Sequence, residues 1–487
     1  MDAIVTPVTR FCSFRVAGRT RHDCVVNDVH SQLNATNVAR VLRPRARGEL
    51  QELVAAAAGA GQALSFCGGR HAMGGQQFGA GRTLVDMTAL NRVIDVDRER
   101  GLVTVEAGID WVQLINHLLW TFADQQDAWG IIQKQTGADH LTLGGALAAN
   151  IHGRGLRLRP FAADIDSFSI VDAAGNHQVC SRTMNPRLFS LAIGGYGLFG
   201  PVTTITLRLQ PRRKVERRVT IANLDDLPDL FDLRTRQGYE FGDCQFATDS
   251  GSREFLQVGV FSCYRPVAPD LPCAQSQLSL GAPEWRRLIR LAHTDKSRAF
   301  AEYSRYYMAT DGQLYWTDTH QLSEYPESYH VNLDAELGGR VKGSEMIAEL
   351  FVPRSALPAF MHAVRADARQ HGTDIIYGTI RVIEPDDETV LAWARQRWAC
   401  VVFNLHVEHT PEGLARAAAD FRRLIDRAIE LGGSYYLTYH RWADARQVLA
   451  GHPRIQEFLQ EKRRLDPGTV FRSDWFTHYE RLLGSAS

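Results

Sequence analysis

The stretch Ser65-Phe-Cys-Gly-Gly-Arg-His-Ala-Met-Gly-Gly-Gln76 places four glycines within twelve residues, between the apolar pair Ala63-Leu64 and the run Thr83-Leu-Val-Asp-Met87. Glycine lets backbone amides approach a ligand and adopt positive φ, which suits an anionic group such as a pyrophosphate. His71 sits inside this loop, placed to face a ligand rather than a core. A second glycine-rich stretch runs from Thr136 to Gly153. Its small residues Gly144, Gly145, Ala146, Ala148 and Ala149 allow something large to lie against the backbone, and Asn150 and His152 end it with polar groups.

Further along, alternation in the strand Cys400 to Glu408 sends Asn404, His406 and Glu408 to one face, the floor of a pocket or an exposed sheet surface. Tyr377, Thr379 and Arg381 share a face in a neighbouring strand, where an arginine suits an acidic substrate or a developing negative charge. Tyr439 and His440 follow the strand Ser434 to Thr438. The series His406-Val-Glu408-His409 also hints at metal ligation, but strand neighbours point opposite ways and no further ligand cluster is evident, so no metal is expected.

The elements that must position these groups follow from periodicity. A helix is expected over Glu49 to Ala60, with Leu50, Leu53, Val54 and Ala57 on one face. Trp111, Leu114, Ile115, Leu118 and Leu119 mark another. Short strands are expected near Val38 to Leu42, Thr83 to Asp86, Leu102 to Ala107, Asp166 to Asp172 and Val202 to Leu209. Gly195-x-Gly197-x-x-Gly200 has the form of a dinucleotide fingerprint, yet that motif needs a strand before and a helix after, and the order here is reversed. The basic run Pro211-Arg-Arg-Lys-Val-Glu-Arg-Arg218 reads as a solvated linker at a domain boundary. Beyond it, two βαβ units are expected: Met346 to Phe351, Ser355 to His371 and Ile375 to Ile383, then Cys400 to Glu408, a helix opened by Thr410-Pro411, and Ser434 to Thr438. They predict an α+β sheet covered on one face.

At 487 residues the chain exceeds one ordinary core. Lys+Arg 55 balance Asp+Glu 55, so no electrostatic case for nucleic acid arises. Eight scattered cysteines read as reduced, mostly buried thiols. The N-terminus lacks the blocks of a signal peptide, and no apolar run reaches about 18 residues, so a cytoplasmic, soluble protein without an integral membrane segment is expected.

Taken in order, Gly68-Gly-Arg-His71, Leu84 to Asn91, Val103 to Gly108, Leu143-Gly-Gly-Ala146, Asn150-Ile-His-Gly153 and Gly194 to Gly200 resemble the vanillyl-alcohol oxidase superfamily of flavoproteins. Within it the chain is most similar to the decaprenylphosphoryl-ribose oxidases and the sugar or aldonolactone oxidases, through Ile151-His-Gly153, Asn185-Pro-x-Leu-Phe189, Gly432 to Thr438 and Asp466 to Asp474. The resemblance implies a two-part FAD-binding domain at 1–211, an inserted α+β substrate domain at 212–432 and a return at 433–487. It implies FAD contacts at Cys67 to Ala72, Gln76, Met87 and Gly108. Further contacts are implied at Thr136, Gly137, Leu143 to Gly145, Ala148, Asn150, Ile151, His152, Gly197 and Val202.

His71 aligns with the histidine that many members join covalently to the flavin; the alternative is a histidine that only hydrogen-bonds within the loop. Tyr439 stands where the ribose oxidases carry a lysine. The implied reaction is oxidation of a sugar-like alcohol by hydride transfer to flavin N5, with dioxygen or another acceptor taking the electrons. Tyr439 is the favoured base and His406 and His440 are its rivals, with Asn404 and Arg381 in the pocket. A flavin-dependent reductase of a carbon-carbon double bond and a non-catalytic flavin-binding protein are the alternatives.

Overall fold

The computed structural model describes residues 24–123, 125, 127–272, 277–323 and 329–484. The extreme N-terminus, Cys12 and Cys273 lie outside them. Cys24 is half-buried, and Cys67, Cys180, Cys244, Cys263 and Cys400 are buried free thiols. Among the described residues no helix is long and apolar enough to cross a membrane. The fold is α+β.

The N-terminal part contains a two-stranded antiparallel sheet, Cys24–Val26 with Thr36–Val38, and two larger sheets. Arg40–Leu42, Thr83–Asp86 and Leu64–Cys67 form a three-stranded parallel sheet. The helix Arg47–Gly59 contributes Leu50, Val54 and Ala57 to its core. The glycine loop leaves directly from the end of Leu64–Cys67. A six-stranded sheet follows, with Val202–Pro211 between Ile165–Val171 and Leu102–Glu106. The helix Trp111–Thr121 packs on it, begun by a capping box in which Asp110 accepts from the Gln113 amide. Gly195 to Gly200 lies between the helix Pro186–Ala192 and the strand Val202–Pro211, in the order opposite to a dinucleotide-binding turn.

An eight-stranded antiparallel sheet occupies the second half of the chain. Its first strand, Lys214–Asn223, corrects the linker reading of the basic run. Val215, Arg217 and Val219 alternate inward, and Arg217 lies against the rings of Tyr264, Tyr307 and Tyr315 while donating to the Tyr264 hydroxyl at 2.9 Å. The charges there mark the outer face of a strand and one buried, ring-enclosed guanidinium.

The two βαβ units interleave. Gly343–Pro353 and Ile375–Ile383 flank Trp398–Glu408, and Ser434–Tyr435 adds to the other edge of Gly343–Pro353. Thr410 caps the helix Pro411–Glu430 by accepting from the Gly413 amide, and Gly432, at φ 75°, turns the chain away after it. This helix and Leu357–His371 bury apolar faces on one side of the sheet. The opposite side looks toward the N-terminal sheets.

The last residues close the molecule. The Leu64 amide donates to Val470 O at 2.7 Å and the Arg472 amide to Leu64 O at 2.9 Å. Trp475, fully buried, packs its ring 4.7 Å from that of Tyr196.

Candidate active site

A cavity lies between the glycine loop, the small-residue helix and the free face of the large sheet. The loop side is built by backbone. Arg70 takes φ 58°, and the amides of Gly69, Arg70 and His71 find no acceptor among the described residues. A Cβ on Gly68 would lie 2.0 Å from Thr142 Oγ1, and one on Gly69 2.5 Å from His140 O, so the close approach requires glycine at both positions. Amides turned out of the protein's own network are an anion-binding concavity.

Opposite the loop, Thr142 caps the helix Leu143–Ala149, and Asn150 ends it at φ 50°. Gly144, Gly145 and Ala148 present almost bare backbone to the cavity, and Ile151, Met87, Gly197 and Val202 add wall. Thr136 and Gly137 complete it, with Thr136 Oγ1 accepting from Arg381. Gln76 Nε2 donates to Thr438 O and Oγ1 at 3.2 and 2.9 Å, tying the loop to the returning chain while its Oε1 is left without a partner. A long, flat, phosphate-bearing group such as FAD fits these walls.

His71 lines the same cavity. Its Nδ1 lies 2.9 Å from His30 Nε2. Burial, and then the neighbouring His30, push its pKa down to about 3, so the ring is neutral and keeps a lone pair. Burial lifts the Cys67 thiol far above its ordinary range.

The sheet face supplies the polar end. Register places Ile347, Asn404 and Tyr377 in one row across three strands, with Glu349 two residues beyond Ile347 and Arg381 on the same face. Glu349 is the hub. Its Oε1 lies 2.5 Å from His152 Nε2 and 3.3 Å from Cys400 Sγ, and its Oε2 accepts from Tyr439 Oη at 2.8 Å. Burial would raise the carboxyl's pKa, but His152, Arg381 and the Tyr439 hydrogen bond together outweigh it and hold it below the ordinary value. Asn404 Oδ1 and Arg381 Nε are buried without partners at the same wall.

Tyr439, the favoured base, lies at the cavity wall with its hydroxyl on Glu349. Burial, and then the adjacent Glu349 carboxylate, drive its pKa well above that of a free phenol, so it holds its proton and donates it. His440 faces away from the cavity, stacked 3.6 Å from the Trp442 ring, and burial pushes its pKa to about 3. His406 is on the expected face but lies outside the cavity wall, opposite Glu345 in register. Burial lowers its pKa, and Glu345 more than restores it. Glu408 is an exposed partner of Arg416 at 2.6 Å, and His409 meets Ser344 Oγ at 2.8 Å.

Three of the expected cofactor contacts are scaffold. A Cβ on Gly108 would strike Met87 O, Leu143 is core, and Asn150 is engaged with Asp386 and the Ala162 amide. Glu349, Glu345 and His30 escaped the sequence reading. The available signal was Glu345-x-Ile347-x-Glu349, two carboxylates at period two in an otherwise apolar strand.

The FAD binding domain family matches residues 38–181. Decaprenylphosphoryl-beta-D-ribose oxidase of Mycolicibacterium smegmatis is 23% identical over 81% of this chain and 84% of its own. L-gulono-1,4-lactone dehydrogenase of Mycobacterium tuberculosis is 24% identical over 91% and 96%. L-gulonolactone oxidase of Mus musculus is 27% identical over 41% and 43%.

Proposed function

We infer that this chain, an FAD-dependent oxidoreductase of the vanillyl-alcohol oxidase type, oxidises the hydroxyl-bearing carbon of a sugar-like small molecule, an aldonolactone or related polyol. The support is the FAD-domain match together with relatives whose names specify a sugar-phosphoryl lipid or a sugar lactone. The observation that carries the reading is the Glu349 carboxylate, joined to His152 and Tyr439 at the cavity wall.

The loop from Gly68 to Ala72 would hold the anionic part of FAD, and the bare backbone from Gly144 to Ala148 would lie against its flat part. When bound, FAD supplies the two-electron acceptor for the carbon-bound hydrogen of the alcohol. The chain supplies the proton path. Tyr439 Oη receives the hydroxyl proton while passing its own to Glu349, so no free phenolate forms. As the carbon becomes a carbonyl its hydroxyl becomes strongly acidic, and a weak base placed within hydrogen-bond reach suffices. Arg381 Nε and Asn404 Oδ1 offer a donor and an acceptor to the other hydroxyls of the ligand.

His71 is assigned as the attachment point for FAD, because it is neutral, buried at the cavity wall and held by His30. Dioxygen or another acceptor removes the electrons afterwards. The test is anaerobic mixing of the FAD-loaded protein with a panel of aldonolactones and polyols. Bleaching of the flavin by one of them supports the reading, and bleaching by NADPH alone contradicts it.

A further inference from the structure

Outside the Glu349 hub, three imidazoles surround a second buried carboxylate. Glu345, 5% exposed, sits on Gly343–Pro353 directly opposite His406 on Trp398–Glu408. His293, from the helix Ala282–Thr294, brings Nε2 to 3.0 Å from Glu345 Oε1, and its side chain is 6% exposed. His406 Nδ1 lies 3.8 Å from the same oxygen. The other oxygen, Oε2, is taken by His330 Nε2 and the Tyr329 hydroxyl.

His293, Glu345 and His406 bring ligand atoms within 4.8 Å of one another, and His293 Nε2, Glu345 Oε1 and His406 Nδ1 are not aligned for hydrogen bonds. An ion-pair network would aim N–H groups at the carboxylate oxygen. Here the three atoms converge without satisfying that geometry, as lone pairs do when they share a central point. Ligands at about 2.0 to 2.2 Å around a tetrahedral ion lie roughly 3.3 Å apart, and the observed 3.0 and 3.8 Å bracket that spacing. Two imidazoles and one carboxylate are a borderline donor set of the zinc class.

We propose that His293, Glu345 and His406 form a three-ligand site for a divalent transition metal such as Zn²⁺, with His330 and Tyr329 holding the second carboxylate oxygen. Carboxylate ligands are commonly fixed by such outer hydrogen bonds. Glu345 and His330 also line the cavity, and His293 and His406 lie behind that wall. Four residues of strand separate Glu345 from Glu349, about 13 Å at the rise of an extended chain. At that distance the metal takes no part at the oxidised carbon.

The proposed site stands against the expectation that no metal is present. His406 is a ligand through partners distant in sequence, and neither Glu408 nor His409 takes part.

The test uses the FAD-loaded full chain, stripped with EDTA and dialysed against Zn²⁺. Elemental analysis gives one zinc per chain, and Co²⁺ in its place gives visible bands of a four-coordinate ion to the long-wavelength side of the flavin. His293→Ala and His406→Ala each weaken Zn²⁺ binding by more than the roughly 100-fold expected for loss of an outer partner, at unchanged FAD content. His409→Ala binds Zn²⁺ as the parent does. Where an alanine variant loses FAD, the Gln variant at the same position replaces it. Wild-type protein without stoichiometric zinc, or zinc binding indifferent to both ligand substitutions, overturns the site. Metal content is read independently of turnover, so failure here leaves the oxidation reading standing, and the converse also holds.

Discussion

His152 Nε2 lies 2.5 Å from Glu349 Oε1 while its Nδ1 faces the carbonyl oxygen of Gly153 at 3.0 Å. A carbonyl only accepts, so Nδ1 carries a hydrogen, and the short contact to Glu349 needs a proton of its own. The pair thus shares one proton, and the Tyr439 hydroxyl adds a second donor to the same carboxylate.

One consequence is a pH profile. Because the Glu349 carboxyl is held below its ordinary range, it stays ionised in neutral and mildly acidic solution. Its contribution to stability is complete above its unfolded pKa and is lost as pH falls through the depressed folded value. The acid limb of kcat/KM is expected below the ordinary glutamate pKa, measured as turnover against pH.

Tyr439→Phe removes the hydroxyl and leaves the ring that packs edge-on 5.7 Å from Tyr436. Turnover is expected to fall about 10²-fold, at the lower end of acid–base contributions. The acid limb should also move upward, since one bond that favours the carboxylate is gone. FAD content should not change, and the limb's position separates loss of the relay from a packing defect.

His71→Ala should leave a protein that binds FAD and releases it on acid precipitation, whereas the parent's colour should stay in the pellet. Colour released from the parent as well would reduce His71 to a loop histidine bonded to His30.

Arg217→Met tests the corrected linker. The guanidinium donates to the Tyr264 hydroxyl and to Thr310 Oγ1, both at 2.9 Å, within a cage of three tyrosine rings. Losing two charged-donor bonds and the ring contacts should cost about 3 kcal/mol, measured by denaturant unfolding of the FAD-loaded protein.

What the sequence revealed and what it hid follow from one physical distinction. Gly68, Gly69, Gly144 and Gly145 betray a close backbone approach because nothing else in a strand–loop–helix context calls for such density. Asn404, Arg381 and Tyr439, read from three separate segments, do meet at one cavity. Glu349 was missed because acidic residues in a strand read as solvent-facing. Only the eight-stranded ladder, with a second layer over it, makes that face an interior. Arg217 was hidden the same way, since its tyrosine cage comes from residues 264, 307 and 315. His440 misled because side-chain direction past the short strand Ser434–Tyr435 depends on a turn without periodicity.

The most direct measurement is anaerobic stopped-flow absorbance of the FAD-loaded parent and Glu349→Gln with the sugar lactone or polyol that best bleaches the parent. The account predicts rapid bleaching of the parent, and a reduction rate about 10²- to 10⁴-fold lower in the variant at equal flavin content. A variant that reduces its flavin as fast as the parent would contradict it.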